Sequence, residues 1–234
     1  MQAFKKVIFQ GRLEFGKENS YEKAFEMFEH LIEVRFKNAI LLTEEHFNPE
    51  MLSLDLDRTV IQASSKYFRN TIDLFNYLVQ FAISGSIGAW MIDEGEVLAA
   101  HMIEPISEKV VVQAFLKGRK LSDQKGKEQD ALAALDRALK KYDRHSAAYE
   151  RRGHINFRLG NLDDAIYDFE KSIRLDARNA DAYMGLGNIK FKQKKYKDAA
   201  KNFELATKSA VALQPIYWVA RRHKAISHIK MEDY

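Results

Sequence analysis

From Ser146 onward the chain repeats itself every 34 residues, and this period constrains the fold more than any other property of the sequence. Tyr149 recurs as Tyr183, Gly153 as Gly187, Ala165 as Ala199 and Phe169 as Phe203, while Ser172 and Ala206 share a small-residue slot. One period earlier, Phe115, Ala131, Leu135 and Ala138 fill the corresponding slots. Gly160-Asn161-Leu162 punctuates the middle of one unit and Gly126-Lys127-Glu128 that of another, so each unit reads as two helices joined by a tight turn. Units this short bury no core alone; they must stack and share one. The small residues let paired helices approach, and the aromatic rings fill the gaps left between them.

This pattern resembles the tetratricopeptide repeat (TPR), whose unit is a pair of antiparallel helices. The resemblance implies an all-α superhelix over residues 105–234, with about three and a half repeats. Past residue 210 the register loosens. Pro215 is expected to open a further helix from Ile216 to Met231, and Lys230-Met231-Glu232-Asp233-Tyr234 resembles the turn inside another repeat. Both a solitary capping helix and a piece of a longer array fit that ending.

TPR stacks hold a peptide or partner helix on a concave face built by the first helix of each unit. Carried over by repeat position, the lining comprises Leu116, Lys120 and Gln124, then Glu150, His154, Phe157 and Arg158, then Met184, Asn188, Phe191 and Lys192, and finally Trp218 and Arg222. Basic and amide donors beside an aromatic suit an acidic segment. The alternative is that Phe157 and Phe191 pack between helices and the cations are a solvated face. Chaperone-tail-binding members of the family carry a lysine–asparagine clamp; here Met184, not Lys, stands one turn before Asn188, so that ligand is not implied.

The first half has a different grammar. Residues 4–15 alternate apolar and polar around Gly11, as a strand pair or one bent strand. Asn19 and Glu22 suggest a capping box ahead of a helix with the stripe Tyr21, Phe25, Phe28, Ile32 and Phe36. Leu52, Leu54 and Leu56 alternate with Ser53, Asp55 and Asp57, which are expected to face solvent. A second helix is expected from Ser64-Ser65 to about Ile83, and the runs Ile87–Ile92 and Val97–Ile103 flank Asp93-Glu94-Gly95-Glu96 as a hairpin. Glu104-Pro105 closes an α+β two-layer domain over residues 1–104.

Gly11-Arg12-Leu13-Glu14-Phe15, Phe25-Glu26-Met27-Phe28-Glu29, Leu54-Asp55-Leu56 with Ser64-Ser65-Lys66, and Trp90-Met91-Ile92-Asp93-Glu94 together resemble the STAS superfamily and its SiaC-like bacterial signalling domains. There a Ser or Thr at a strand-to-helix junction is phosphorylated, which implies Ser64 or Ser65 as the modified residue. Ala63 departs from the family's Asp or Thr, and the competing reading is that one serine simply caps the helix.

The sequence offers little chemistry. With no cysteine there is no thiolate cage or cysteine nucleophile. The seven histidines show no metal-ligand spacing, so no metal is expected. Gly85-Ser86-Ile87-Gly88 lacks the Lys-Ser/Thr of a phosphate loop. Asp55-Leu56-Asp57-Arg58-Thr59 resembles the nucleophile loop of haloacid-dehalogenase phosphotransferases, but the domain is too short for that fold's sheet and later ligands. No cofactor and no enzymatic activity are expected. The content of 46% hydrophobic and 12% aromatic residues argues against disorder, and no apolar run is long enough for a signal peptide or membrane span, so a soluble cytoplasmic protein is expected.

The net charge of +4 hides a split: residues 1–110 hold 11 Lys+Arg against 17 Asp+Glu, for −6, and residues 111–234 hold 26 against 16, for +10. A nucleic-acid partner for the basic face is the rival reading, with Lys190–Lys197 as its best stretch; that run surrounds an exposed turn and reads better as a solubilising face. The expected protein is a bacterial adaptor whose repeats bind an acidic peptide or helix. Its acidic first domain is expected to dock a second protein or the basic array itself. Self-docking of this kind should loosen as salt screens it; small-angle scattering that gives the same domain separation at low and high salt would discard it.

Overall fold

Val7, Phe9 and Leu13 point to one side of the first strand, and everything in the N-terminal half is assembled against them. In a computed structural model describing residues 4–232, the chain divides into two compact units that meet between Val112 and Gln113. The first contains a five-stranded, wholly antiparallel sheet in the order β2-β3-β1-β4-β5. Its strands are β1 (Lys5–Glu14), β2 (Phe47–Asn48), β3 (Ser53–Ala63), β4 (Ser84–Asp93) and β5 (Glu96–Ile103).

Residues 5–14 thus form one strand, not a strand pair. It is central, and Gly11 lets it run close to β4: a Cβ there would lie 2.1 Å from the Ser86 carbonyl oxygen. Opposite, the register slips by one residue between Phe9↔Thr59 and Gly11↔Leu56, a bulge that kinks β3. Glu94 and Gly95, both with positive φ, form the two-residue turn joining β4 to β5.

Helices α1 (Glu18–Leu31) and α2 (Ser65–Leu78) pack on the face carrying Phe9, whose ring lies 5.9 Å from Phe68 and 5.6 Å from Phe75. Phe28 meets Phe47 at 4.8 Å. Each such buried ring contributes about 1.5–3 kcal/mol, so this aromatic layer supplies much of the unit's cohesion.

Several local expectations need correction. The Asn19/Glu22 capping box does not form: α1 begins earlier, with Lys17 at its N-cap and no side-chain cap, because Gly16 turns the chain at φ 69° and the Lys17 carbonyl accepts from Ser20 and Tyr21. Ser53 is buried, not solvent-facing, since β1 and β2 flank it and it donates to Asp55 at 2.6 Å. The second α-helix stops at Leu78 and tightens into a 3₁₀ turn, Val79–Phe81. Lys109 donates to the carbonyls of Gln80, Phe81 and Ala82 at 2.7–3.2 Å, which ties residues beyond the expected 104/105 boundary to this unit's helix end.

The second unit is built from helical hairpins. Its helices are α3 (Val110–Ser122), α4 (Glu128–Lys141), α5 (Ser146–Leu159), α6 (Leu162–Leu175), α7 (Ala180–Lys192), α8 (Tyr196–Ser209) and α9 (Pro215–Glu232). Lys230 to Glu232 continue α9 rather than turning; Asp233 and Tyr234 lie outside the described residues.

The repeat is physically faithful. A Cβ on Gly153 would lie 2.9 Å from the Phe169 ring, and one on Gly187 would lie 2.4 Å from Phe203, the same relation one period on. Gly185 also meets Phe169, at 2.3 Å, so one ring fills the space left by two glycines on successive hairpins. Arg152 adds a polar link: it reaches Asp168 through Nε and Nη2 (3.0 and 2.6 Å) and Asp136 through Nη1 (2.6 Å), joining α4, α5 and α6.

Helix starts also repeat. Asn179 accepts from the Ala182 N–H at 3.1 Å, and His145, 34 residues earlier, accepts from the Ala148 N–H through Nδ1 at 3.3 Å. His145 is 1% exposed and packs on Phe115 at 4.4 Å, and burial lowers its pKa to about 3. An unfolded histidine titrates near 6.5, so between these values the unfolded chain holds a proton that the folded chain refuses. Its contribution is therefore complete above about pH 6.5 and declines by up to about 1.4 kcal/mol per pH unit as the pH falls. His145→Asn, the residue of the next repeat, should keep the cap and remove this decline; urea midpoints at pH 5 and 7 that differ as much as in the wild type would refute the assignment.

Candidate functional site

The first helices of the hairpins carry most of the residues selected by repeat position, and a pocket opens where three of these helices come together. It encloses about 270 Å³ between Ser122 and Asp123 at the end of α3, Glu150, Arg151, His154, Ile155, Phe157 and Arg158 on α5, and Asp181 and Asn188 on α7. Glu150, His154 and Arg158 share one helix face at i, i+4 and i+8.

Charge is graded along α5. Glu150 is 6% exposed, accepts from His154 Nε2 at 3.1 Å and lies 3.5 Å from Arg151 Nε. Asp181, in the first turn of α7, is reached by water but ringed by protein; desolvation, and then Glu150, raise its pKa. Two turns on, about 12 Å along the helix, Arg158 donates to the Ser122 carbonyl at 2.7 Å and bridges α3 and α5. Lys192 lies over the Phe157 ring at 5.6 Å. Carboxylates near helix N-termini and cations near C-termini also complement the macrodipoles, so part of the gradient has a structural reason.

The pocket therefore unites Glu150, His154, Phe157, Arg158 and Asn188 of the expected set. Lys120 is exposed outside it, and Gln124 sits on the turn after α3. Met184 is buried against Phe203 and Ala220, and Phe191 packs edge-on to Tyr196 at 5.2 Å; both serve the core. Trp218 is 58% exposed and donates to the Ala212 carbonyl, while Arg222 is exposed on α9. Asp123, Asp181, Arg151, Ser122 and Ile155 were not in the expected set. Asp123 occupies the Phe157 slot one period earlier and was open to the same extension.

In the first unit, Ser64 is 2% exposed and is the N-cap of α2, its Oγ accepting from the Tyr67 N–H at 3.5 Å. Ser65 is half-buried in the first turn. Asp55 pairs with Arg12 and accepts from Ser53. Among the described residues, no group of three His, Asp or Glu is arranged to hold a metal, and no helix is long and apolar enough to cross a membrane.

Residues 153–194 match the TPR repeat family model and residues 180–210 the Tetratricopeptide repeat model. With the hairpins described above, these matches assign TPR repeats to the C-terminal half. No curated protein matches the chain. Among solved structures, the TPR2B domain of yeast Sti1 in its pHsp70 complex is 19% identical, covering 53% of this chain and 98% of that one at a TM-score of 0.47. The Sgt2 TPR domain from Aspergillus fumigatus is 17% identical, covering 53% and 81% at 0.48. The Yersinia enterocolitica type III secretion translocator chaperone SycD (alternative dimer) is 17% identical, covering 54% and 97% at 0.49.

Proposed function

We propose that this protein is a non-enzymatic adaptor of the bacterial cytoplasm that holds a peptide or helix of a partner protein in the concave face of its repeats. The observation carrying this reading is the pocket itself, where Glu150, His154, Phe157, Arg158 and Asn188 converge from neighbouring repeats. Arg158, and Lys192 beside Phe157, take the carboxylates of an acidic segment. Glu150 and Asp181 at the other end accept a basic or amide N–H group, so the segment is acidic but carries one donor at a fixed spacing.

The N-terminal unit is the regulatory half, read as a STAS/SiaC-like domain on the strength of the two helices laid on one face of its sheet. Within it Ser65 is the phosphorylation site. Ser64 already spends its hydroxyl on the helix cap and is buried, whereas a phosphate on Ser65 would meet the helix N-terminus.

Selection of displayed twelve-residue peptides should enrich acidic sequences on the wild type, with affinities about 10–100-fold weaker for the Arg158→Glu/Lys192→Glu double variant by fluorescence anisotropy. No enrichment, or equal binding by both proteins, defeats the groove reading, and retention on an oligonucleotide column at physiological salt would replace it with a nucleic-acid one. Phosphopeptide mass spectrometry of protein from its own host should find phosphate on Ser65; phosphate on Ser64, or on neither serine, removes the switch.

A further inference from the structure

The two edges of the N-terminal sheet are treated very differently. Along β3, beyond its two-residue pairing with β2, the outer edge carries Asp55, Asp57 and Arg58 and is kinked by the bulge opposite Phe9 and Gly11. Charges and bulges are the usual means by which an edge is kept from pairing with another chain. The β5 edge has no charge and a single bulge, at Leu98, which is skipped between Met91↔Ala99 and Ile92↔Val97; residues 97–103 include no Asp, Glu, Lys, Arg or Pro.

The strand is also apolar on its outer face and uncharged on the other, where His101 is the one polar residue. Ala99 packs against the core and His101 lies 5.9 Å from Phe68, which places these residues on the helix side. Ala100 and Met102 therefore face the other way, beside Trp90 and Gly88 of β4, with Leu98 at the bulge next to them. Val97, Leu98 and Met102 are 47%, 48% and 54% exposed, and among the described residues no strand pairs with this edge.

The geometry points to a second copy of this chain as the occupant, joined by antiparallel pairing of β5 with β5 into one continuous sheet. A two-fold axis at Ala100 sets Ala100 of one copy opposite Ala100 of the other, Ala99 opposite His101, and Met102 opposite the bulged Leu98, so the outward apolar residues meet one another. An edge without charge has nothing with which to select an acidic or basic foreign strand, and self-matching is the complementarity it offers. The only like charges brought together, Glu96 and Glu104, fall at the ends. Eight residues a side is well short of the roughly 20–30 of a stable interface, so the dimer is weak and concentration-dependent.

Sedimentation velocity of the full chain over a range of concentrations should show a monomer–dimer equilibrium with Kd on the order of 10–100 μM. Leu98→Lys and Met102→Lys should each weaken it about tenfold or more with unchanged melting temperature, while Val60→Lys on the opposite edge leaves it intact. Hydrogen exchange in the wild-type segment 96–103 should slow as concentration rises, a readout independent of whether the variants fold. Added salt of about 0.5 M should preserve the dimer, since backbone pairing and apolar contact are not screened. A monomer at every concentration overturns the inference, as does a dimer indifferent to both β5 lysines, one lost with Val60→Lys, or one dissolved by salt, which would be the charge-driven association of the two units.

Discussion

The close fit of an aromatic ring against glycine is the contact on which the repeat half depends. Phe169 leaves no room for a side chain at Gly153 or Gly185, and Phe203 leaves none at Gly187. With glycine at these positions the helices approach near enough for backbone and ring to touch, which brings dispersion and burial together at one point. Because Phe169 faces glycines on α5 and α7, the same ring closes its own hairpin and seats the next. For these two hairpins stacking and pairing are thus one event, and the seat of α7 against α6 follows from it.

That dependence explains what the sequence discloses and what it withholds. Slots such as Gly153/Gly187 and Phe169/Phe203 are readable because their partners recur with the same period. Met184 shows the limit. It sits in the slot of Glu150, yet Glu150 lines an open pocket while Met184 is covered by Phe203 and Ala220. A repeat fixes where a backbone goes, but what covers a side chain depends on the next helix along, and α9 is not a copy of α7. Asp181 was missed for a related reason: its character comes from Glu150 on a neighbouring helix and from the surrounding walls, neither of which local spacing encodes.

In the N-terminal half the alternating strands and the helix stripes were legible, whereas polar residues were misjudged. Ser53 obeys the alternation of its strand but lies between two others, so facing away from the leucines did not mean facing water. Asn19 and Glu22 have the chemistry of a cap, but Gly16 turns the chain before them and the backbone satisfies itself. In both cases a short-range signal was overruled by the geometry of a neighbouring segment.

The Arg152 link among Asp136 and Asp168 has no counterpart one period later, where Leu186, Glu170 and Asn202 stand in the same three slots. Hairpins that are nearly alike can in principle be threaded in one another's place, since each offers a similar ring and a similar hollow. Arg152 carries its own Asp168 with it, so the bond to Asp136 on α4 is what gives the hairpin an address: seated anywhere else, the guanidinium would lose that second carboxylate. The irregularity in the array marks the place of one hairpin beside the one before it.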